Sequence, residues 1–230
     1  MDDYTIYYGL TMVAFALSML AQFYVRSVYE RYDRIGAKAN ITGEQAAREL
    51  LDRNGMYEVG IREINGFLTD HYDPKTKEVR LSPNNFRGTS LANISIACHE
   101  CGHALQDAES YALLNIRSTL VPAVNISSYA GYLAIMLGTI LGVFQIIWLG
   151  IGLEMLILVF QVITLPIEFD ASSRALKQIE SIRFFDETEL QGGKKVLSAA
   201  ALTYVAGVAA TLLEMLRLVL FYGRRDNRRR

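Results

Sequence analysis

The chain alternates between long apolar runs and polar, mixed-charge stretches. Residues 4–25 carry no charged side chain, and a run of this length suffices for one membrane span of about 20 residues. Residues 118–153 are also uncharged, and only Glu154 interrupts the apolar run before Glu168. A third uncharged run, residues 196–213, is only just long enough to span. The pattern predicts an integral membrane protein with three to four transmembrane helices.

The polar segment between the first two apolar runs, residues 27–117, has the pattern of a mixed α and β structure. Thr42 and Gln45 have the spacing of a capping box at the start of a helix, and Gly55 predicts its end. The loosely alternating segment YEVGIREI predicts a strand. The segments GFLTDHY and KEVRLS flank the turn sequence DPKT and predict a β-hairpin.

A second helix is predicted directly after the hairpin, in the segment SLANISIACHECGHALQDAE. Thr89 or Ser90 stands at the position of its N-cap. Apolar residues recur at helical spacing, at positions 91, 94, 97, 98, 101, 104 and 105. Because strands precede this helix, we expect a sheet edge to lie beside it. The predicted fold class is α+β, combined with membrane helices.

The pattern divides the chain into five segments. We predict an N-terminal transmembrane anchor, a polar part with the hairpin and the second helix, a transmembrane hairpin, a helix that follows it, and an apolar helix with a basic tail. These segments are residues 1–26, 27–117, 118–165, 166–195 and 196–230.

The net charge of the chain is −1, which gives no sign of nucleic-acid binding. The distribution of the charges predicts how the chain is oriented in the membrane. The acidic start MDDYT differs from the basic start of a cleavable signal peptide, so the first run is expected to remain as an anchor. Arg26, Arg31 and Arg34 follow the first span and predict that the polar part lies in the cytoplasm. A fourth crossing would place the basic tail RRDNRRR outside, against this rule, but the uniformly apolar run favours the crossing.

The short segment CHECGH, residues 98–103, contains two of the three histidines and both cysteines of the chain. A haem attachment site is excluded, because Gly102 stands where the motif C-x-x-C-H requires His. A redox pair is disfavoured, since Cys98 and Cys101 lie well inside the predicted helix, away from the N-terminal field that lowers a thiol pKa. We expect both cysteines to be small buried hydrophobic residues.

The same segment has the spacing of a zinc site. His99 and His103 are four residues apart, so they share one helix face and can bind a single ion. Glu100 lies beside His99 and can act as general base toward a zinc-bound water, as in the motif H-E-x-x-H. The longer metzincin pattern is excluded, because it requires Gly and His at positions 106 and 109.

Catalytic zinc sites commonly have a third protein ligand. His71, beside the hairpin turn, and Asp107, on the same helix, are less natural positions for it, and a later helix offers Glu168 and Asp170. Residues 119–165 are long enough for two spans, and an even number of crossings returns that later helix to the side of the histidines. We therefore expect an acid of the later helix to complete the site, close to the bilayer.

Four segments of the chain resemble the YugP-like neutral zinc metallopeptidases of bacterial membranes: LTDHYDPKTKEVRLS, HECGHALQ, NIRSTLVP and LPIEFDASSRAL. More distantly, the chain is similar to the HtpX-like and CAAX-processing membrane proteases, whose ligand Glu opens a pattern E-[FY]-x-A-D. Glu168, Phe169 and Ala171 match this pattern, whereas Ser172 stands where those relatives have Asp. The support that this Asp gives in those relatives is expected to come from Asp170 or to be missing here.

The resemblance implies a zincin-like metallopeptidase domain of the gluzincin type, with His99, His103 and Glu168 on Zn²⁺ and with peptide-bond hydrolysis as the activity. It does not identify the substrate. Two further residues are candidates for lesser roles. His71 could donate a hydrogen bond to the transition state or only bond locally. Arg174 could contact the substrate or the carboxylates around the ligands, or form an ordinary salt bridge.

Three functions are compatible with these features. The leading hypothesis is a multi-pass cell-membrane zinc endopeptidase with a cytoplasmic active site, which cuts unfolded or membrane-proximal polypeptides that add a strand to the hairpin edge. A non-catalytic zinc-binding scaffold or adaptor would be expected to lack Glu100, which is intact. A metal transporter would need several polar groups inside the spans. Glu154 is the one charged residue that the sequence places inside the predicted spans, and we favour a role in helix packing for it over ion handling.

Overall fold

The computed structural model describes residues 3–227, and the side chains of residues 5–225. The first two residues and the last three arginines, which contribute to the charge pattern at the two ends, lie outside the described residues. Helices make up most of the structure, and a small three-stranded sheet accompanies them. The helices are α1 Asp3–Asp33, α2 Gly43–Arg53, α3 Pro83–Arg87, α4 Leu91–Ala108, α5 Ala112–Leu141, α6 Phe144–Ile182 and α7 Glu187–Asn227, and the strands are β1 Gly60–Glu63, β2 His71–Asp73 and β3 Glu78–Leu81.

The chain forms two compact units. The apolar unit contains residues 1–22, 115–165 and 203–230, and the polar unit contains residues 23–114 and 166–202. In the polar unit, the segment before the two central apolar helices therefore folds together with the segment that follows them.

Four of the helices, α1, α5, α6 and α7, are long and apolar enough to cross a membrane. The portion of α6 that belongs to the apolar unit ends at residue 165. The short uncharged run at residues 196–213 lies within α7, where the ion pair between Glu214 and Arg217 follows it. Because the two charges neutralise each other on one helix face, α7 provides a fourth apolar helix of sufficient length.

The course of α6 contradicts the predicted start of a new helix, although residue 165 is also where the portion of α6 in the apolar unit ends. The sequence predicts a new helix after Pro166, whereas Pro166 lies inside the continuous helix Phe144–Ile182. A proline removes one helical hydrogen bond, and a helix that continues for several turns on both sides can accommodate this loss. Glu168 therefore lies within a long helix, not at the start of a short one.

The predicted helical segment 166–195 is also interrupted, at residues 183–186. Arg183 has a left-handed φ of 65°, which stops α6. Asp186 then caps α7: its side chain accepts a hydrogen bond from the Glu189 backbone, and the Glu189 side chain accepts one from the Asp186 backbone. Asp186 and Glu189 are three positions apart in the sequence, which is the spacing of a capping box and a local signal for the start of α7.

The predicted starts of α2 and α4 are confirmed. Thr42 and Gln45 exchange the two hydrogen bonds of a capping box, and α2 ends before Gly55, which has a φ of +72°. Ser90 is the N-cap of α4 and exchanges the corresponding hydrogen bonds with Asn93. The cap at Ser90 fixes the start of α4, the helix that contains CHECGH.

The predicted hairpin is also confirmed, and it forms the centre and one edge of the sheet. β2 and β3 are antiparallel, with Tyr72 opposite Val79, and β1 joins β3 in parallel on its other side. Helix α4 packs against β3 and β2, and α2 packs against α4. Val79 and Leu81 of β3 are fully buried with Leu50 of α2 and Ile94 of α4. The core of the polar unit therefore holds α4 on the sheet.

Candidate metal centre

Three side chains from two helices meet in the polar unit. Helix α4 presents His99 and His103 one turn apart, with ring centroids separated by 4.8 Å. Helix α6 brings Glu168 against them: its Oε2 lies 3.4 Å from Nε2 of His99 and 3.5 Å from Nε2 of His103. The ligand atoms of these three residues lie within 4.8 Å of one another. The structure thus brings together the two histidines and the acid of the later helix.

The donor set and its spacing fit Zn²⁺. Zinc bonds to imidazole nitrogen and carboxylate oxygen are about 2.0–2.2 Å long, so neighbouring ligands of a tetrahedral ion lie roughly 3.3–3.6 Å apart. The two distances from Glu168 to the histidines fall in this interval. Two neutral imidazoles and one carboxylate also leave the fourth position of a tetrahedral ion open, as catalytic zinc sites require.

Glu168 is buried, with 2 % of its surface exposed. Burial alone would raise the pKa of this carboxyl, but hydrogen bonds from His103 and His99, and their positive charge when they are protonated in the metal-free protein, outweigh burial and hold the pKa of Glu168 well below its ordinary value. The side chain is therefore ionised at neutral pH, as a metal ligand must be.

Glu100 lies on α4 between the two histidines in sequence and is also buried. Burial raises the pKa of its carboxyl, and the neighbouring Glu168 adds to the shift, while His99 and His103 act in the opposite direction. A carboxylate with a raised pKa is a stronger base than a solvated one, so it is better suited to accept a proton near neutral pH.

Gln106 supports the centre from α4, three residues after His103. It is fully buried, and its Oε1 lies 3.0 Å from Nδ1 of His103. The amide oxygen accepts the hydrogen of Nδ1, which leaves Nε2 as the free lone pair that faces Glu168. The Gln106 amide donates to the carbonyl of Ile167 and to Asp170, both at 2.8 Å. The spacing of Gln106 from His103, three residues along one helix, is a signal in the sequence that could have indicated this support.

Ser172 supports the other histidine, since its Oγ lies 3.2 Å from Nδ1 of His99. A serine hydroxyl thus stands beside the ligand at the position where the distant relatives have Asp. Asp170 contributes indirectly, because it accepts from Gln106 and pairs with Arg174, which also pairs at 2.7 Å with Glu109, the C-cap of α4. Arg174 therefore contacts carboxylates around the ligands, one of the roles expected for it.

The sequence of the whole chain gives independent information on this centre. Residues 7–223 match the protein family described as "Putative neutral zinc metallopeptidase". The chain belongs to this family. It is also 47 % identical over 220 residues to the "Putative membrane protease YugP" of Bacillus subtilis (strain 168), with 95 % of this chain and 98 % of the relative covered. No solved structure matches the chain.

Membership of this zinc metallopeptidase family agrees with the donor set of the centre and with the resemblance found in the sequence. Zinc is the metal of the family, and the cluster of His99, His103 and Glu168 could hold it. The "membrane protease" in the name of the relative agrees with the four apolar helices.

Gly102 allows α4 and α6 to approach closely enough for the cluster of His99, His103 and Glu168 to form. A Cβ atom at Gly102 would lie 2.5 Å from the carbonyl oxygen of Ala171, which is far below van der Waals contact. The glycine therefore makes room for the α6 backbone beside the ligands.

The other residues considered from the sequence lie outside the ligand cluster. His71 is exposed, and its Nδ1 lies 2.9 Å from the carbonyl of Thr69, which is the local bonding expected as the alternative to a catalytic role. Asp107 accepts a hydrogen bond from Tyr72 at 2.7 Å and pairs with Lys77. These contacts hold the end of α4 on the hairpin.

Cys98 and Cys101 are free and fully buried, as the sequence predicts. Burial raises the pKa of both thiols. Both side chains belong to the hydrophobic core of the polar unit.

In the apolar unit, Glu154 lies close to the backbone of α5, where a Cβ atom at Gly131 would be 3.1 Å from its Oε1. This contact favours the packing role of Glu154.

Proposed function

We propose that the protein is a multi-pass membrane zinc endopeptidase with a zincin-like polar unit. The observation that carries the proposal is the spacing of 3.4 and 3.5 Å between Glu168 and the two histidine Nε2 atoms, which suits a tetrahedral zinc ion with one open position. His99, His103 and Glu168 hold the ion. When bound, zinc supplies a water of lowered pKa and polarises the carbonyl of the peptide bond.

Glu100 is the general base of the proposed reaction. It accepts one proton as the water oxygen attacks the carbonyl carbon, and it delivers that proton to the amide nitrogen as the C–N bond breaks. The raised pKa of Glu100 supports both steps, since the same group must bind the proton and release it. Gln106 and Ser172 orient the imidazoles of His103 and His99 during the reaction.

The sheet suggests how a polypeptide would lie in the site. β2 is an edge strand that packs against α4, so an extended segment could pair with its outer edge, beside the helix of the ligands. Edge pairing requires an extended chain, and unfolded or membrane-proximal polypeptides provide one. We assign the polar unit to the cytoplasmic side, because Arg26, Arg31 and Arg34 follow the first apolar helix. The two central apolar helices then return Glu168 to that same side.

The experiment compares the purified wild-type protein with Glu100→Gln. We expect wild type to contain about one zinc per chain and to cut casein or quenched peptides. The variant should keep the zinc and lose cleavage by ~100- to 10,000-fold, the usual contribution of general acid–base catalysis. Zinc without cleavage in wild type would indicate the non-catalytic scaffold, and absence of zinc from wild type would contradict the proposal.

A further inference from the structure

The loop between β1 and β2 presents a half-exposed aromatic ring. Phe67 lies in this loop, and 50 % of its surface is exposed, whereas its neighbour Leu68 packs against the core of the polar unit. The loop has a defined conformation, because the Thr69 hydroxyl donates to the carbonyl of Asn65 at 3.2 Å. Gly66 has a φ of +123°, a backbone conformation that favours glycine. The exposure of Phe67 is therefore a feature of an ordered turn.

One side of the Phe67 ring contacts helix α1. The rings of Phe67 and Tyr29 meet edge to face, with centroids 5.5 Å apart. The guanidinium of Arg26 lies over the Phe67 ring, 5.8 Å from its centroid. The Tyr29 hydroxyl donates to Oδ1 of Asn85 at 3.0 Å, and the Asn85 amide donates to Asp70 at the end of the loop. These contacts, all inside the polar unit, fix the position of the loop along α1.

The sequence of α1 gives the level of these contacts in a membrane. The uncharged run of residues 4–25 ends directly before Arg26, and as a helix it is about 33 Å long, close to the ~30 Å of the hydrocarbon core. Tyr29 lies about 5 Å further along the helix axis. The headgroup region on each side of a bilayer is ~5–8 Å thick. Phe67, which contacts both residues, therefore lies at the level of the headgroups.

Two further aromatic residues lie at this level. Phe23 and Tyr24 directly precede the end of the uncharged run of α1, and both are exposed. Aromatic side chains are favoured at the boundary between a membrane and water, because a ring tolerates both the apolar chains and the polar headgroups. Phe67 extends this aromatic cluster from α1 to the loop that precedes β2.

We propose that the loop of residues 65–69 is an anchor at the bilayer surface, and that the exposed half of the Phe67 ring lies among the lipid headgroups. The partner is lipid, because the ring is continuous with the helix that spans the bilayer and lies where that span ends. β2 begins at His71, four residues after Phe67, so the anchor keeps this edge strand within about 14 Å of the headgroups. The inference goes beyond the proposed function, since it holds whether or not the protein cuts peptides.

Tryptophan quenching by brominated lipid tests the anchor in the full-length protein. Trp148 is the single tryptophan of the chain, so Phe67→Trp in the Trp148→Phe background reports the loop alone. The protein is placed in nanodiscs of phosphatidylethanolamine and phosphatidylglycerol, with or without bromine in the upper part of the acyl chains. We expect bromine to reduce the emission of Phe67→Trp by about half or more, because an indole at headgroup level contacts those chains.

Tyr57→Trp in the same background is the matched control. Tyr57 is a second aromatic residue of the polar unit with a high exposure, 70 %. It lies three residues after Asn54, the C-cap of α2, which bonds to Gln178 at 3.2 Å. Gln178 lies about 20 Å along α6 from residue 165, where the apolar-unit portion of that helix ends. Bromine should leave the emission of Tyr57→Trp unchanged, and acrylamide dissolved in the water should quench it strongly.

A nitroxide label gives a second reading that does not depend on tryptophan. It is attached to Phe67→Cys or Tyr57→Cys in the variant Cys98→Ala/Cys101→Ala. At position 67, oxygen from the lipid phase should relax the label more than a water-soluble nickel complex does. At position 57 the order should be reversed.

Equal bromine quenching of Phe67→Trp and Tyr57→Trp, or equal nitroxide accessibility at the two positions, would overturn the inference. Shielding of Phe67→Trp from acrylamide without quenching by bromine would also overturn it, because a second copy of the chain or another protein would then cover the ring. Zinc content and peptide cleavage are measured separately. Their absence would contradict the proposed function and leave the anchor standing.

Discussion

The side-chain oxygen of Gln106 lies 3.0 Å from Nδ1 of His103, while the amide of the same glutamine donates to the carbonyl of Ile167. Ile167 directly precedes Glu168. One buried side chain therefore orients a ligand on α4 and at the same time fixes the α6 backbone next to another ligand. Partners of this kind around a metal typically change its affinity by ~10- to 100-fold when they are removed.

We predict that Gln106→Met weakens zinc binding by ~10- to 100-fold, because the methionine has a similar volume but cannot accept from His103 or donate to Ile167. A zinc titration in competition with a chromophoric chelator measures the affinity. Gln178→Met is the matched control, since Gln178 lies on α6 and bonds only to Asn54 and Ser181 among its described partners. Wild-type affinity in Gln106→Met would show that the glutamine has no positioning role.

Gly102→Ala should separate the two helices of the centre. Its Cβ would lie 2.5 Å from the Ala171 carbonyl, so α6 must shift, at a cost of about 1–3 kcal/mol in the free energy of unfolding. We expect a lower melting temperature and weaker zinc binding by the same variant. Gly207→Ala is the control, because a Cβ at Gly207 would meet nothing within 4 Å. Equal stability and zinc affinity in the two variants would contradict the close helix crossing.

The two buried cysteines should be unreactive in the folded protein. Alkylation requires the thiolate, and burial raises the pKa of Cys98 and Cys101, so the thiolate fraction at pH 8 is smaller than for an ordinary thiol. We expect iodoacetamide to modify them much more slowly than an introduced surface thiol at Lys75→Cys, as measured by intact mass. The double variant Cys98→Ala/Cys101→Ala should retain zinc. Loss of the metal in that variant would indicate thiolate ligands.

The ligand assignment also requires one membrane side for both halves of the polar unit. Single thiols at Lys75→Cys and Glu187→Cys, in the variant without native cysteines, report the two halves. A membrane-impermeant maleimide should label both positions from the cytoplasmic face. Labelling of one from outside and of the other from inside is incompatible with a centre that contains both His99 and Glu168.

The sequence contained enough information to predict the elements that carry the centre. The capping box of α2, the hairpin around DPKT and the N-cap Ser90 are local signals, because each depends on residues fewer than ten positions apart. His99 and His103 follow from helical spacing alone. The prediction of Glu168 as the third ligand required the number of membrane crossings and the family resemblance, because Glu168 is 65 positions away from His103 and lies in a different helix.

The contacts between α4 and α6 could not be predicted in the same way. The contact between Ser172 and Nδ1 of His99 and the position of Gln106 depend on how the two helices cross, which no spacing within one helix reveals. The predicted segment 166–195 begins at a proline, which usually ends a preceding helix, yet α6 continues through Pro166.

The central claim is that Glu168 is a zinc ligand and Glu100 is not, and the zinc content of two matched variants tests it most directly. Both substitutions replace a buried carboxylate with an amide of the same size. After purification and dialysis against a weak chelator, Glu100→Gln should retain about one zinc per chain by atomic absorption, whereas Glu168→Gln should lose most of it. Full zinc content in Glu168→Gln, with an affinity equal to that of wild type, would contradict the account and leave His71, Asp107 or Asp170 as the third ligand.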